Sequence, residues 1–283
     1  MSSTNTVAGG RTLIYRIPAL VRTAHWVIAL ALLVLLLSGL QIFNAHPALY
    51  WGNGSPSGHS FFEIGARGNK RGEARGFVRL GSFQANTTGV LGVAKNGEGQ
   101  LSAHAFPRWI TLPPYQDLAD GRRWHFFFAW LLSLGLATYV IANLIRGRLW
   151  RGLFPTTTQL RGIGSSIWEH LRLRLPHGEE ARQYNVLQKL AYLSIMFGVI
   201  PLVIVTGLAL SPAIDAALPW LTQILGGRQS ARSLHFIGTW VLVLFFFTHI
   251  LMVVAAGPLN EMRSIITGWF AIRPEPARER HRS

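Results

Sequence analysis

The sequence predicts an all-α membrane protein, a bundle of four transmembrane helices with one long extracytoplasmic loop. Three observations point that way. Four windows, 21–43, 124–145, 187–210 and 233–256, are apolar over the length a bilayer crossing needs, about 20 residues. Hydrophobic residues make up 49% of the chain and charged ones only 14%, where a soluble domain carries ~25% charged residues. The basic residues behind the formal charge of +15 gather between and beside the windows, as orientation signals and lipid headgroup partners do. A nucleic-acid partner is therefore not expected, and all 283 residues are read as a single domain.

Taken in order, the first window is too long, and lacks a small-residue cleavage site after Leu40, to be a removable signal peptide. The connection 44–121 is too long for a turn and is rich in Gly, Asn and Ser. Strand-like runs at 76–83 and 89–94 suggest irregular β structure over the bundle mouth, and the glycine content suggests a loop that orders against a partner's surface. Between the second and third windows, 159–175 alternates apolar residues with arginines at helical spacing, which fits an interfacial helix in the headgroup plane. A shorter segment, 212–225, reads as a cap between the last two spans. Arginines in the amino-terminal tail, in the second connection and in the carboxy-terminal tail fall on one side of a four-span bundle. Both termini are expected in the cytoplasm, with the protein in the bacterial inner membrane.

Four histidines lie inside or at the lip of these windows: His25, His125, His235 and His249. An imidazole in hydrocarbon is costly without a partner, so each is a candidate functional residue. His235 and His249 share one span, fourteen residues apart, a rise of about 21 Å with both rings on nearly the same helix face. With the termini inside, His25 and His249 match in depth near the inner face, and His125 and His235 near the outer face. There is no cysteine, which excludes thiolate-held iron–sulfur clusters and covalent haem attachment. Non-covalent haem held by histidine pairs is the leading reading. An inner iron would take His25 and His249, and an outer iron His125 and His235, in a ligand set suited to electron transfer.

An arginine stands three residues before three of these histidines, at Arg22, Arg122 and Arg232, on the same helix face. Pairing with haem propionates is one reading. Snorkelling at a span end is the other, and Arg123 competes with Arg122 for the same duty. His46, His59 and His104 fit no metal spacing and read as surface residues, as do His170 and His177. Gly198, Pro201 and Gly207 in the third span read as a kink and close packing.

On these residues the chain resembles the bacterial di-haem cytochrome b membrane subunits: nickel–iron hydrogenase b-type, formate dehydrogenase gamma and thiosulfate-reductase-type subunits. The resemblance rests on Arg22-Thr-Ala-His25-Trp26 opening the first span and His125 opening the second. It extends to Tyr184-Asn-Val-Leu-Gln-Lys-Leu-Ala-Tyr192 entering the third, and to Arg232-Ser-Leu-His235 and Thr248-His249 in the fourth. It implies two haem b groups, a quinone as electron donor or acceptor, and a periplasmic oxidoreductase partner of molybdopterin type; the position and composition of loop 44–121 make it the expected docking platform. The long first connection departs from the compact hydrogenase pattern. A quinone is expected on the inner side, near Tyr184, Asn185 and Lys189, three residues that read equally as an interfacial anchor. A different class is a self-contained quinone oxidoreductase acting on a small substrate such as superoxide, drawn by a basic funnel of Arg122, Arg123, Arg228 and Arg232.

Overall fold

The computed structural model describes residues 4–7, 11–68, 73–95, 99–115, 117–147, 154–164 and 186–272. Its helices are α1 (Ala19–Asn44), α2 (Leu118–Ile145), α3 (Thr157–Arg161), α4 (Val186–Ser194), α5 (Ile200–Leu210), α6 (Pro212–Ala217), α7 (Pro219–Ile224), α8 (Arg228–Ala256) and α9 (Pro258–Thr267). A π-helical turn, Ile195–Val199, joins α4 to α5. Among the described residues four stretches are long and apolar enough to cross a membrane: α1, α2, the run Val186–Leu210 and α8. The turn sits just before Pro201, whose missing N–H cannot continue the ladder. The Ile200 N–H instead reaches back to the Ile195 carbonyl.

The helical reading of the sequence needs one correction: the chain is not all-α. Strands β3 (Ala48–Leu49), β4 (Phe62–Gly68), β5 (Ala74–Leu80) and β6 (Phe83–Asn86) form one antiparallel sheet in that order, and β7 (Gly92–Lys95) pairs with β8 (Leu101–His104). The residues of 44–121 carry a core of their own. Leu49, Ile64, Ala105 and Phe106 are buried with Leu40 and Phe43 from the end of α1, and Phe236 of α8 packs against them. Glycine here marks close backbone crossing rather than looseness. A Cβ on Gly76 would lie 2.2 Å from the Leu91 carbonyl oxygen, and one on Gly92, at φ 76°, would lie 2.2 Å from that of Gly65.

Contacts divide the chain into two compact units. One comprises Val27–Leu134 and Leu193–Leu244. In it the segment after α1 is tied to the start of α8. The Gly52 carbonyl accepts from the N–H groups of Gln229 (2.9 Å) and Ser230 (3.2 Å), two of the donors a helix start leaves unpaired. The Ser230 hydroxyl accepts from the Gly52 N–H at 2.8 Å, and the Ser233 hydroxyl donates to the Tyr50 carbonyl at 2.6 Å. Asn44 closes α1 by donating to the Phe106 carbonyl at 3.1 Å and accepting from the Phe106 N–H at 2.7 Å. The cap expected over 212–225 is α6 and α7, joined by a 2.5 Å hydrogen bond from the Thr222 hydroxyl to Asp215.

The other unit comprises Met1–Trp26, Gly135–Tyr192 and Phe245–Ser283. Its three-stranded antiparallel sheet, order β1-β2-β9, joins β1 (Thr4–Val7) and β2 (Arg11–Tyr15) to β9 (Trp269–Ile272) from the far end of the chain. Helix α9 precedes β9 between Gly257 and Gly268, both at positive φ. Of the interfacial helix expected over 159–175, α3 forms the start, held by a capping box of Thr156 and Gln159. The stretch from 165 onward, with His170 and His177, lies outside the described residues.

Candidate functional site

The structure brings the four span histidines together two by two. In the unit containing Val27–Leu134, His125 of α2 faces His235 of α8 with ring centres 6.0 Å apart. In the other unit, His25 of α1 faces His249 of α8 at 6.5 Å. Two imidazole nitrogens bound to opposite sides of one metal ion at ~2.0–2.1 Å hold their ring centres roughly 6.3 Å apart. Both pairs match that spacing. Among the described residues no group of three or more His, Cys, Asp or Glu side chains is placed to hold a metal ion. The spacing suits an ion held between two imidazoles, with its remaining ligands supplied by a macrocycle.

The His125/His235 pair is oriented by hydroxyls. The Ser38 hydroxyl donates to the Val34 carbonyl at 2.7 Å, so its lone pair faces His125 Nδ1 at 3.0 Å. The Thr206 hydroxyl donates to the Leu202 carbonyl at 2.7 Å and meets His235 Nδ1 at 3.0 Å. The Val203 carbonyl also lies 3.0 Å from His235 Nδ1. A carbonyl can only accept, so Nδ1 of His235 carries the proton and Nε2 keeps the lone pair that binds a metal. Glycines make the room. A Cβ on Gly39 would stand 3.4 Å from Cε1 of His125, and one on Gly207 3.2 Å from Cε1 of His235. Gly238 lets α5 approach α8, since a Cβ there would lie 2.7 Å from Val203.

The His25/His249 pair is held by rings instead. His249 stacks on Phe245, with centroids 5.9 Å apart and planes at 19°, and meets Tyr192 edge-on at 6.4 Å. His25 meets Trp26 edge-on at 5.4 Å. Nδ1 of His25 and of His249 are both buried and have no protein hydrogen-bond partner among the described residues. Beside them α9 packs on the first turns of α1. Arg22 donates to the Ile266 carbonyl at 2.5 Å and Trp26 to the Ile265 carbonyl at 3.4 Å, while Arg22 Nε is buried without a partner among the described residues.

The other arginines differ among themselves. Arg122 lies 5.7 Å from the Phe126 ring centre. Arg232 donates to the His46 carbonyl and stands 5.6 Å over Phe43. Arg123 pairs with Asp120 at 2.9 Å and Arg228 with Asp215 at 3.0 Å, so two of the four cations of the supposed funnel are matched by carboxylates. His46 lies just beyond α1. Its partial burial, and then the nearby Arg232 charge, hold its pKa below the usual 6.5. Lys189 is buried and donates to Gln159 at 3.1 Å, which is not the posture of a surface anchor. Tyr184 and Asn185 lie outside the described residues.

The family model of prokaryotic cytochrome b561 matches residues 16–268, nearly the whole chain and all four histidines. The chain belongs to this family. Haem b is accordingly the cofactor of this cytochrome, and its four apolar helices make it a multi-pass membrane protein. Among curated proteins it is similar to the "Putative protein-methionine-sulfoxide reductase subunit YedZ1" of Azospira oryzae. The two are 29% identical over 236 residues, covering 83% of this chain and 88% of that one. No solved structure matches the chain.

Sequence reasoning missed Ser38, Gly39, Thr206 and the chemical setting of Gly207. The signal was present as a hydroxyl–glycine dipeptide, Ser38-Gly39 and Thr206-Gly207, in two apolar spans. Each serves the histidine of a later helix, α1 serving α2 and α5 serving α8.

Proposed function

We propose that this cytochrome conducts electrons through two haem b groups, one between His25 and His249 and one between His125 and His235, linking a quinone to a periplasmic oxidoreductase. The reading is carried by the two imidazole pairs, at 6.5 and 6.0 Å, each with one member on α8. Haem b held by two histidines would supply reversible one-electron transfer. The protein's part is to orient the imidazoles, exclude water and neutralise propionates. Arg22, whose buried Nε has no partner among the described residues, and Arg122, over Phe126, are candidates for the last task. Arg232 is engaged by the His46 carbonyl.

The partner is an oxidoreductase of molybdopterin type acting on oxidised methionine in proteins. The relative's description as a methionine-sulfoxide reductase subunit supports this reading. Docking falls to 44–121, where Phe83, Val90 and Trp109 are exposed, Trp109 at 83%. The termini are cytoplasmic, and quinone binds at the His25/His249 end. A superoxide-type activity is not favoured, because Arg123 and Arg228 are ion-paired.

Haem content per chain and reduced-minus-oxidised spectra of single His→Ala variants test the proposal. Two haems are expected in the parent. His25→Ala and His249→Ala should lose one and the same haem, and His125→Ala and His235→Ala the other. Loss of the same haem from His25→Ala and His125→Ala would overturn the pairing.

A further inference from the structure

We propose that Ser38 and Thr206 are positioning residues that make the His125/His235 haem the more strongly donated centre, lowering its midpoint potential through the hydrogen bonds they accept from imidazole Nδ1–H. The inference rests on the two-haem reading and goes beyond it by assigning inequivalence to particular hydroxyls.

The argument starts from the protons. The Ser38 and Thr206 hydroxyl hydrogens are already given to the Val34 and Leu202 carbonyls at 2.7 Å each. What each oxygen offers the facing Nδ1, 3.0 Å away, is therefore a lone pair. His235 has a second acceptor in the Val203 carbonyl at 3.0 Å. An acceptor on Nδ1–H moves electron density through the ring to Nε2 and raises ligand basicity, which stabilises ferric over ferrous iron. Nδ1 of His25 and His249 has no such acceptor among the described residues. Among the described residues, only the His125/His235 pair thus has acceptors that bias it toward the oxidised state. The two hydroxyls occur in equivalent hydroxyl–glycine dipeptides, so the same local device supports both rings of one pair.

Each ring keeps a backbone carbonyl when its hydroxyl is removed, Val203 beside His235 Nδ1 and Leu35 beside His125. Ser38→Ala and Thr206→Val should therefore move the same component in the same direction by similar amounts, and Ser38→Thr should restore parent behaviour.

The test is a potentiometric titration of the full-length protein in membranes or detergent, with haem counted per chain in the same samples. Ser38→Ala should raise the potential of one haem component so that its ferric-to-ferrous ratio at fixed ambient potential falls about threefold. At 59 mV per tenfold for one electron, that is about 28 mV. The other component should stay put, with a similar shift of the same component in Thr206→Val and none in Ser38→Thr. If Ser38→Ala fails to hold haem, the Thr206→Val shift decides. Two haems per chain with unmoved potentials, or with both components shifted equally, overturns this assignment while leaving the two-haem reading intact. Fewer than two haems in the parent overturns both.

Discussion

Gly207 leaves little room for a methyl group beside His235, whose ring would have to give by a few tenths of an ångström. A Cβ there would sit 3.2 Å from the ring's Cε1, whereas at Gly39 the corresponding gap to His125 is 3.4 Å. Gly207→Ala should therefore push the imidazole off its two acceptors and reduce haem bound per chain, with Gly39→Ala the milder change. Absorbance of purified variants at matched protein concentration checks the order. Charge at the residue scale has its own signature. His104 is held below the usual 6.5 by burial first and by Arg108 second. Between 6.5 and its lowered value the unfolded chain binds more protons than the folded one. Its contribution to stability is complete above 6.5 and declines as pH falls through that window. His104→Gln should flatten this part of the pH dependence of thermal unfolding. The four span histidines were legible because imidazole contrasts sharply with an apolar run. Ser38 and Thr206 were not, because a hydroxyl in a helix ordinarily satisfies itself on a carbonyl one turn back. Both do so here as well, and only the fold reveals what their lone pairs face.

At the scale of elements, the span boundaries followed from length and hydropathy alone, which is why α1, α2, the Val186–Leu210 run and α8 lie close to the windows read from sequence. The break within the third span also had a local cause, at Pro201. The extramembrane strands were harder to read, since their stability comes from non-local crossing. Gly65, Gly76 and Gly92 look like flexibility in one dimension and are contact points in three. Gly92→Ala combines positive φ with a backbone clash and should destabilise this unit by about 2 kcal/mol or more. Chemical denaturation followed by tryptophan fluorescence measures it, and the His25/His249 haem should persist at denaturant levels where the other is lost. The β2–β9 pairing, Tyr15 opposite Trp269, was illegible for a related reason. Two short strands from opposite ends of the chain carry no local sign of each other.

For the molecule as a whole, the sequence assigned the membrane class and the histidine pairs in depth, yet treated 44–121 as a surface that waits for a partner. Its buried core changes how docking should be probed. Excising 65–97 would strip Ile64 and Phe106 of their neighbours and unfold the unit, so a surface substitution is the cleaner test. Trp109→Ala should leave both haem spectra unchanged and weaken partner binding about tenfold, the effect expected for a central exposed aromatic. Binding of the purified partner to the membrane-reconstituted variant reads this directly. An unchanged affinity would move the docking surface elsewhere on the chain.

The clasp between the Tyr50–Gly52 stretch and the start of α8 has a consequence for biogenesis. The Ser233–Tyr50 hydrogen bond joins residues 183 positions apart, and α8 is the last of the four spans to leave the ribosome. Until it does, the extramembrane unit lacks its final anchor and both histidine pairs lack a member. On the proposed ligand set, a nascent chain stalled after α5 would have no complete histidine pair to capture haem. Cofactor loading would then be a late, post-insertion event, with insertion of the last helix as the step that commits the apoprotein to maturation.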